Sequence, residues 1–226
     1  MKPRIKLAES RTEDGKILAL YSHDGAFSIN VSGNELMQSK SFTSERLLGE
    51  LGVAHLKSDN PARVLVGGLG LGFTLQSVLE SVGPEVKVEV VELLPEVIEW
   101  NREYLKELNG ALLDDPRVEV IIGDVASLIR RAKYGTYDAV MLDVDNGPVA
   151  LVAKANVSLY SNSGIRSIRT ALKVGGRAVF WSASPDQRFV ARLERNGFQV
   201  EAVPAKIHER AKRAAYILYV VEKSEK

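Results

Sequence analysis

No cysteine occurs among the 226 residues, and the three histidines, His23, His55 and His208, stand far apart. Disulfides are thereby excluded, as is a zinc site of Cys and His ligands, and no metal is expected. Aromatic residues make up only 7%, and the net charge is +1. No global field draws in nucleic acid or an anionic membrane, so neither is expected as a partner. Trp100, Tyr104 and Trp181 lack interleaved basic residues and read as core or pocket wall rather than stacking platforms. No apolar run approaches the roughly 20 residues of a membrane span, and the N-terminus has no apolar signal core. The expected location is cytoplasmic. What remains is ordinary for a globular chain: 45% hydrophobic and 26% charged residues, long enough for one large domain with a small appendage. Internal repeats and low-complexity segments are missing too.

Residues 62–72 read Ala-Arg-Val-Leu-Val-Gly-Gly-Leu-Gly-Leu-Gly. Val64, Leu65 and Val66 form a run suited to a strand buried on both faces, and Gly67, Gly68, Gly70 and Gly72 remove side chains where the chain must turn. Residues 73–79 follow with helical character. Strand, glycine turn and helix bring backbone N–H groups and a positive helix end to an open crevice, which suits a nucleotide-like ligand. A tight turn with no ligand can have the same spelling, so the acids downstream carry the case. Gly68, Gly70 and Gly72 give G-x-G-x-G, whereas the dinucleotide fingerprint needs glycine where Phe73 stands, which argues against NAD. The next strand, 86–91, leads to Glu92, a carboxylate placed to accept both hydroxyls of a ribose. A helix N-terminal charge ahead of Pro95 is the plainer alternative. Together, the glycine pattern and Glu92 resemble the class I S-adenosylmethionine-binding fold.

Residues 1–12 are charged and read as irregular. Segments 16–21, 26–31 and 35–38 form a small β-meander with turns at Asp24-Gly25 and Ser32-Gly33-Asn34. Residues 44–56 carry leucines at helical spacing, with Thr43 or Ser44 as N-cap. The Asp59-Asn60-Pro61 turn is short, so the meander is expected to pack on the main domain. Strands at 63–67, 87–91, 118–122, 139–142 and 177–181 alternate with helices at 95–108, 125–133 and 186–196. That order means a doubly wound, mostly parallel sheet. Segments 198–203 and 214–221 have no helix between them and predict an antiparallel hairpin at one edge. The expected organisation is an α/β domain at 44–226 preceded by a small β region at 1–43.

Ligands collect at the C-terminal ends of parallel strands, and Gly67 to Gly72, Glu92, Gly123-Asp124 and Asp143-Val144-Asp145-Asn146 all fall there. Asp124 either accepts from an adenine amino group or simply caps the helix after it. Asp143 either takes a proton from an attacking amine or belongs to a turn with Asn146-Gly147. The cluster His208-Glu209-Arg210-Ala211-Lys212-Arg213 reads as a solvated loop, with an anionic ligand as the alternative. Residues 156–164 are expected to border an acceptor pocket or merely to lead into a helix.

Residues 64–72, Val90-Val91-Glu92 with Val97-Ile98, Asp115-Pro116-Arg117-Val118, Gly123-Asp124, and Tyr137-Asp138 leading to Asp143 resemble, in order, the motifs of spermidine synthases. The resemblance runs from about residue 16 to residue 198. It implies aminopropyl transfer from decarboxylated S-adenosylmethionine to a small amine acceptor such as putrescine. By resemblance, Gly67, Gly68, Gly70 and Gly72 line the donor loop, Glu92 holds ribose, Asp124 with Val125 holds adenine, and Leu93 is a further donor-binding residue. Asp143 touches the donor and, with Asp145, supplies the catalytic carboxylates. Asn146-Gly147-Pro148 belongs to a loop that closes over the acceptor. The oligomeric state stays open, with a homodimer as one option.

Three departures stand beside these matches. The family usually has an aspartate in the glycine loop for the donor's propylamine, and Gly70 stands there. The acceptor loop is shortened to Asp143-Val144-Asp145-Asn146-Gly147-Pro148, and a tyrosine-rich helix start is replaced by Thr43-Ser44-Glu45-Arg46. Ordinary S-adenosylmethionine carries its own carboxylate and is repelled by a nearby one, so Gly70 removes the reason to prefer the decarboxylated form. Methyl transfer is the alternative reaction, and a non-catalytic nucleoside-binding relative the alternative class. An acidic pair at Asp143 and Asp145 counts against the latter.

Overall fold

A computed structural model of the chain describes residues 3–12, 14–57, 60–144 and 158–224. Strands β1 (Ile5–Arg11), β2 (Ile17–His23), β3 (Ala26–Val31) and β4 (Asn34–Gln38) form one antiparallel sheet in chain order. The Asp24-Gly25 and Ser32-Gly33 turns have positive φ at both residues, the geometry a two-residue hairpin needs. Strand β1 corrects the reading of the first twelve residues as irregular. Its charged, alternating sequence is poor in apolar signal because it is an edge strand, only partly covered and fixed by its ladder to β2.

Helix α1 (Thr43–Val53) crosses to the second sheet. Its N-cap is Phe42, not Thr43 or Ser44; Phe42 stacks on Phe73 at 5.0 Å, so packing places the helix start. The second sheet contains β5 (Ala62–Gly67), β6 (Val86–Glu92), β7 (Val118–Ile122), β8 (Tyr137–Leu142), β9 (Leu172–Ser182), β10 (Gln199–Ala205) and β11 (Tyr216–Glu222). Their order is β10-β11-β9-β8-β5-β6-β7; β5 to β9 run parallel, and β11 is antiparallel to both its neighbours. The doubly wound sheet and the edge hairpin therefore stand as expected. The chain moves outward from β5 to β7 and then returns to β8 on the other side of β5. The crevice where it reverses opens at the C-terminal ends of β5 and β8.

Between the strands lie α2 (Phe73–Ser81), α3 (Pro95–Glu103), α4 (Lys106–Asn109), α5 (Val125–Arg131), α6 (Asn162–Ala171) and α7 (Gln187–Arg195). Alternation along the strands divides the core in two. Val64, Val66, Ala139 and Met141 join the cluster shared with α1, α2 and the first sheet, while Leu65, Val140 and Leu142 face α5, α6 and α7. Fully burying each such valine, leucine or methionine contributes roughly 1.5–3 kcal/mol. Because Leu18, Leu20, Ile29 and Val31 lie in the first cluster, the meander shares the main core.

Most element bounds fall within three residues of expectation, and two departures are larger. The helix expected over 95–108 divides at Tyr104, where the N–H of Leu105 reaches back to Trp100 O at 3.1 Å and buries Leu105 completely. Strand β9 begins five residues earlier than expected, because Gly175-Gly176 reads as a turn in sequence. In the sheet it absorbs a register shift against β8 between Tyr137 and Ala139.

Candidate active site

The glycine loop after β5 is tied to three neighbours. Gly68 N donates to Val91 O at 2.9 Å, Asp143 N donates to Gly67 O at 3.0 Å, and Leu69 N donates to Glu92 Oε2 at 2.9 Å. Asn101 and Asn109, both buried, brace the loop from behind: Asn101 Nδ2 donates to Gly70 O at 2.8 Å, and Asn109 Nδ2 donates to Asn101 Oδ1 at 2.7 Å. Sequence reasoning missed this pair. The available signal was an asparagine on the apolar face of a helix, where an unpaired amide would be costly.

Gly68, Gly70, Glu92, Leu93, Asp124, Val125 and Asp143 line one cleft at these strand ends. Gly67 and Gly72 do not. A Cβ on Gly67 would meet Leu142 at 2.9 Å and Val125 at 3.0 Å, and one on Gly72 would meet Asn109 and Leu112 at 3.0 Å, so these glycines make room for protein. Asp145 to Pro148, Asn156 and Val157 lie outside the described residues. Of the expected pocket border at 156–164, the described part supports the cleft indirectly: Tyr160 donates to Val144 O at 3.3 Å, and Leu159 is core.

Glu92 is buried, and burial pushes its carboxyl above the ordinary range, against hydrogen bonds from Leu94 and Leu69 N–H groups. Oε1 accepts from Leu94 N and Oε2 from Leu69 N, each at 2.9 Å. Backbone N–H groups of Gly70 and Leu93 also face the carboxyl, so the loop takes up part of its accepting capacity. The plainer alternative also has a share, since the Leu94 bond fixes the turn into α3. Glu92→Ala is expected to weaken methylthioadenosine binding by about tenfold or more in calorimetry. It should also lower stability to urea by about 1–3 kcal/mol, because two loop N–H groups lose their acceptor. Unchanged affinity in the folded variant would remove Glu92 from the donor pocket.

Gly123 N donates to Glu92 O at 2.9 Å, which brings Asp124 alongside. Asp124 caps α5: Oδ1 accepts from Ala126 N at 2.9 Å, and Oδ2 from Ser127 N at 3.1 Å. The cap and the cleft position coexist. Asp143 follows β8 on the other side of Gly68 and accepts from Thr74 Oγ1 at 3.4 Å. The opposite wall comes from the meander and α1 through Leu18, Ile29, Leu36, Met37 and Glu45, with Trp181 from β9. Glu45, which sequence reasoning noted only as part of an altered helix start, has its carboxyl pushed up by burial. The basic loop between β10 and β11 is exposed at His208, Arg210, Lys212 and Arg213.

Sheet order, the G-x-G-x-G turn and the acid ending β6 define the class I S-adenosylmethionine-dependent transferase fold. Residues 42–204 match the family model of the spermine/spermidine synthase domain, and the chain belongs to that family. It is 30% identical over 174 residues to putrescine N-methyltransferase 1 of Nicotiana tabacum, covering 76% of this chain but 40% of that protein. It is 36% identical over 130 residues to a polyamine aminopropyltransferase of Mycobacterium tuberculosis, covering 57% of this chain and 24% of the relative. The chain thus spans well under half the length of these curated relatives. The crystal structure of spermidine synthase from Thermotoga maritima superimposes with a TM-score of 0.71 at 21% identity, covering 97% of this chain and 72% of that one.

Proposed function

We propose that the protein transfers an aminopropyl group from decarboxylated S-adenosylmethionine to a small amine, with putrescine as the first candidate. The observation that carries this reading is the meeting of two carboxylates in one cleft on either side of the glycine loop. Glu92 is buried and braced, whereas Asp143 is only half-buried beside Thr74. In this reading Glu92 holds the ribose hydroxyls, Leu93 and Val125 flank adenine, and Asp124 accepts from its amino group. A cytoplasmic setting belongs to the same reading.

An alkyl amine is largely protonated at neutral pH, as lysine is, and attacks only through a free lone pair. Asp143 accepts an N–H of the bound ammonium and takes that proton, which frees the lone pair and leaves it aimed at the carbon next to sulfur, where the N–C bond forms and the product amine keeps its remaining protons. The C–S bond breaks with its electron pair going to sulfur, so the sulfonium leaves as a neutral thioether. Asp145 is assigned a supporting role in the same proton transfer.

Methyl transfer is a second reading with its own observation. A Cβ on Gly70 would lie 3.1 Å from Met37 Sδ, so an apolar thioether from β4 occupies the space beside the loop where a carboxylate would meet a propylammonium. Supporting it further, the relative matched over most of this chain is named a putrescine N-methyltransferase. Incubating the protein and putrescine with each donor, and weighing the products, separates the two. Aminopropyl transfer yields a triamine and methylthioadenosine; methyl transfer yields an N-methyl diamine and S-adenosylhomocysteine. Absence of both products overturns both readings. Gly70→Asp alone is expected to be hindered by Met37. Combined with Met37→Ala it should move donor preference toward the decarboxylated form by on the order of 1 kcal/mol, about fivefold.

A further inference from the structure

Neither the ribose site nor the proton transfer uses the two buried asparagines behind the glycine loop. Asn101 Nδ2 donates to Gly70 O and to Val97 O, each at 2.8 Å, and Asn109 Nδ2 donates to Asn101 Oδ1 at 2.7 Å and to Leu71 O at 3.4 Å. Backbone N–H groups hold the neighbouring carbonyls: Gly67 O accepts from Asp143, Leu69 O from Gly72 and Gly72 O from Gln76. The carbonyls of Gly70 and Leu71 are left to the asparagines. A peptide plane turns as one piece, and beside glycine it turns at little cost. Tying these carbonyls to α3 and α4 at the back therefore fixes how the loop presents its front, where the N–H groups of Leu69 and Gly70 face Glu92. Helix α3 also holds Glu92 itself, since Leu94, its N-cap, donates to Glu92 Oε1 at 2.9 Å. One helix thus sets both the carboxylate and the loop that meets it.

We propose that Asn101, held by Asn109, is a positioning residue for the donor site: it keeps the Leu69 and Gly70 N–H groups on Glu92 before the donor binds, and so sets how tightly the nucleoside is held. The inference rests on the reading above that Glu92 holds the donor's ribose. Those N–H groups favour the charged carboxylate and oppose the burial that disfavours it. An ionised Glu92 can accept from both ribose hydroxyls, whereas a protonated one must use an oxygen as a donor. Without the clamp, affinity falls for two reasons: the loop must be ordered on binding, and the carboxyl stays protonated to higher pH.

The test compares wild-type protein with Asn101→Leu and with Asn101→Leu/Asn109→Leu, which also removes the amide that the single change leaves unpaired. In calorimetry with methylthioadenosine, both variants are expected to bind about tenfold more weakly at neutral pH. The acidic fall-off of affinity should move up by about half a pH unit or more. Asp124, Asp143 and Glu45 line the same cleft in all three proteins, so the displacement between proteins is read rather than the midpoint. Urea unfolding is expected to find the double variant more stable than the single one. A merely structural pair would regain affinity along with that stability, whereas a positioning residue would not, because Gly70 O still lacks its donor. The inference is overturned if the folded variants bind within about twofold of wild type. It is overturned equally if affinity follows stability back in the double variant, or if the acidic fall-off does not move. Should neither variant fold, amide exchange in ligand-free wild type decides. The Leu69 amide is expected to exchange about 100-fold or more slowly than in an open chain, and free exchange overturns the inference. Wild-type protein that fails to bind methylthioadenosine overturns the parent reading and the inference with it.

Discussion

Asp143→Asn is expected to lower kcat by about 100- to 10,000-fold while methylthioadenosine affinity stays within about twofold. The size follows from the proton that must move, because asparagine can still accept from Thr74 but cannot take a proton from the amine. The small effect on binding follows from position, because the backbone N–H that anchors Asp143 to Gly67 O is untouched by the substitution. Rapid-quench assays with saturating donor, beside calorimetry, separate the two quantities. Activity within threefold of wild type would move the base elsewhere, with Asp145 the next to test. A parallel collapse of affinity would make Asp143 a donor-binding residue rather than the base.

Gly68→Ala is expected to destabilise the fold by about 2–5 kcal/mol, the sum of a left-handed backbone and a steric overlap. Its φ is +94°, and a Cβ there would lie 2.4 Å from the carbonyl oxygen of Asp143. A carbonyl oxygen in the backbone cannot swing aside as a side-chain tip can. The loop and the end of β8 must therefore separate, and the cleft loses its floor. Gly110→Ala is the control: φ is +75° with nothing within 4 Å, so it should lose only about 1–2 kcal/mol from strain. Urea unfolding of the pair measures the difference. Equal losses would show that the Asp143 carbonyl yields freely. From sequence, Gly68 reads as one of four glycines that remove a side chain where the chain must turn; the structure shows the closest constraint to be the backbone carbonyl of Asp143.

Much of the second sheet was legible because buried parallel strands spell themselves as continuous apolar runs, as at Val64 to Val66 and Ala139 to Leu142. The glycine spacing and the acid at Glu92 followed from where such strands must end. What stayed hidden depends on contacts distant in sequence. Strand β1 carries too many charges to declare itself, and the early part of β9 is masked by Gly175-Gly176. Asp124 was legible both as a cap and as a site candidate, and the structure keeps both positions for it. Met37 and Asn101 could not be assigned at all. Each matters only because folding brings it against Gly70, and nothing local marks that encounter.

The pairing of β4 with β3 places Ile29 opposite Met37 and Asn30 opposite Glu35, so Leu36 is an extra residue in the ladder. Such a bulge breaks the alternation of side chains, and here both Leu36 and Met37 reach the cleft wall. The cleft residues proposed to hold the nucleoside, Glu92, Leu93, Asp124 and Val125, end or follow strands of the second sheet, whereas Leu36 and Met37 come from a five-residue edge strand. Under the proposed function, donor recognition and tail selectivity are therefore separable for evolution. Gaining or losing one residue in β4 would exchange which side chain stands beside Gly70 and leave Glu92 and its braces untouched. A lineage could change what it transfers by editing a hairpin.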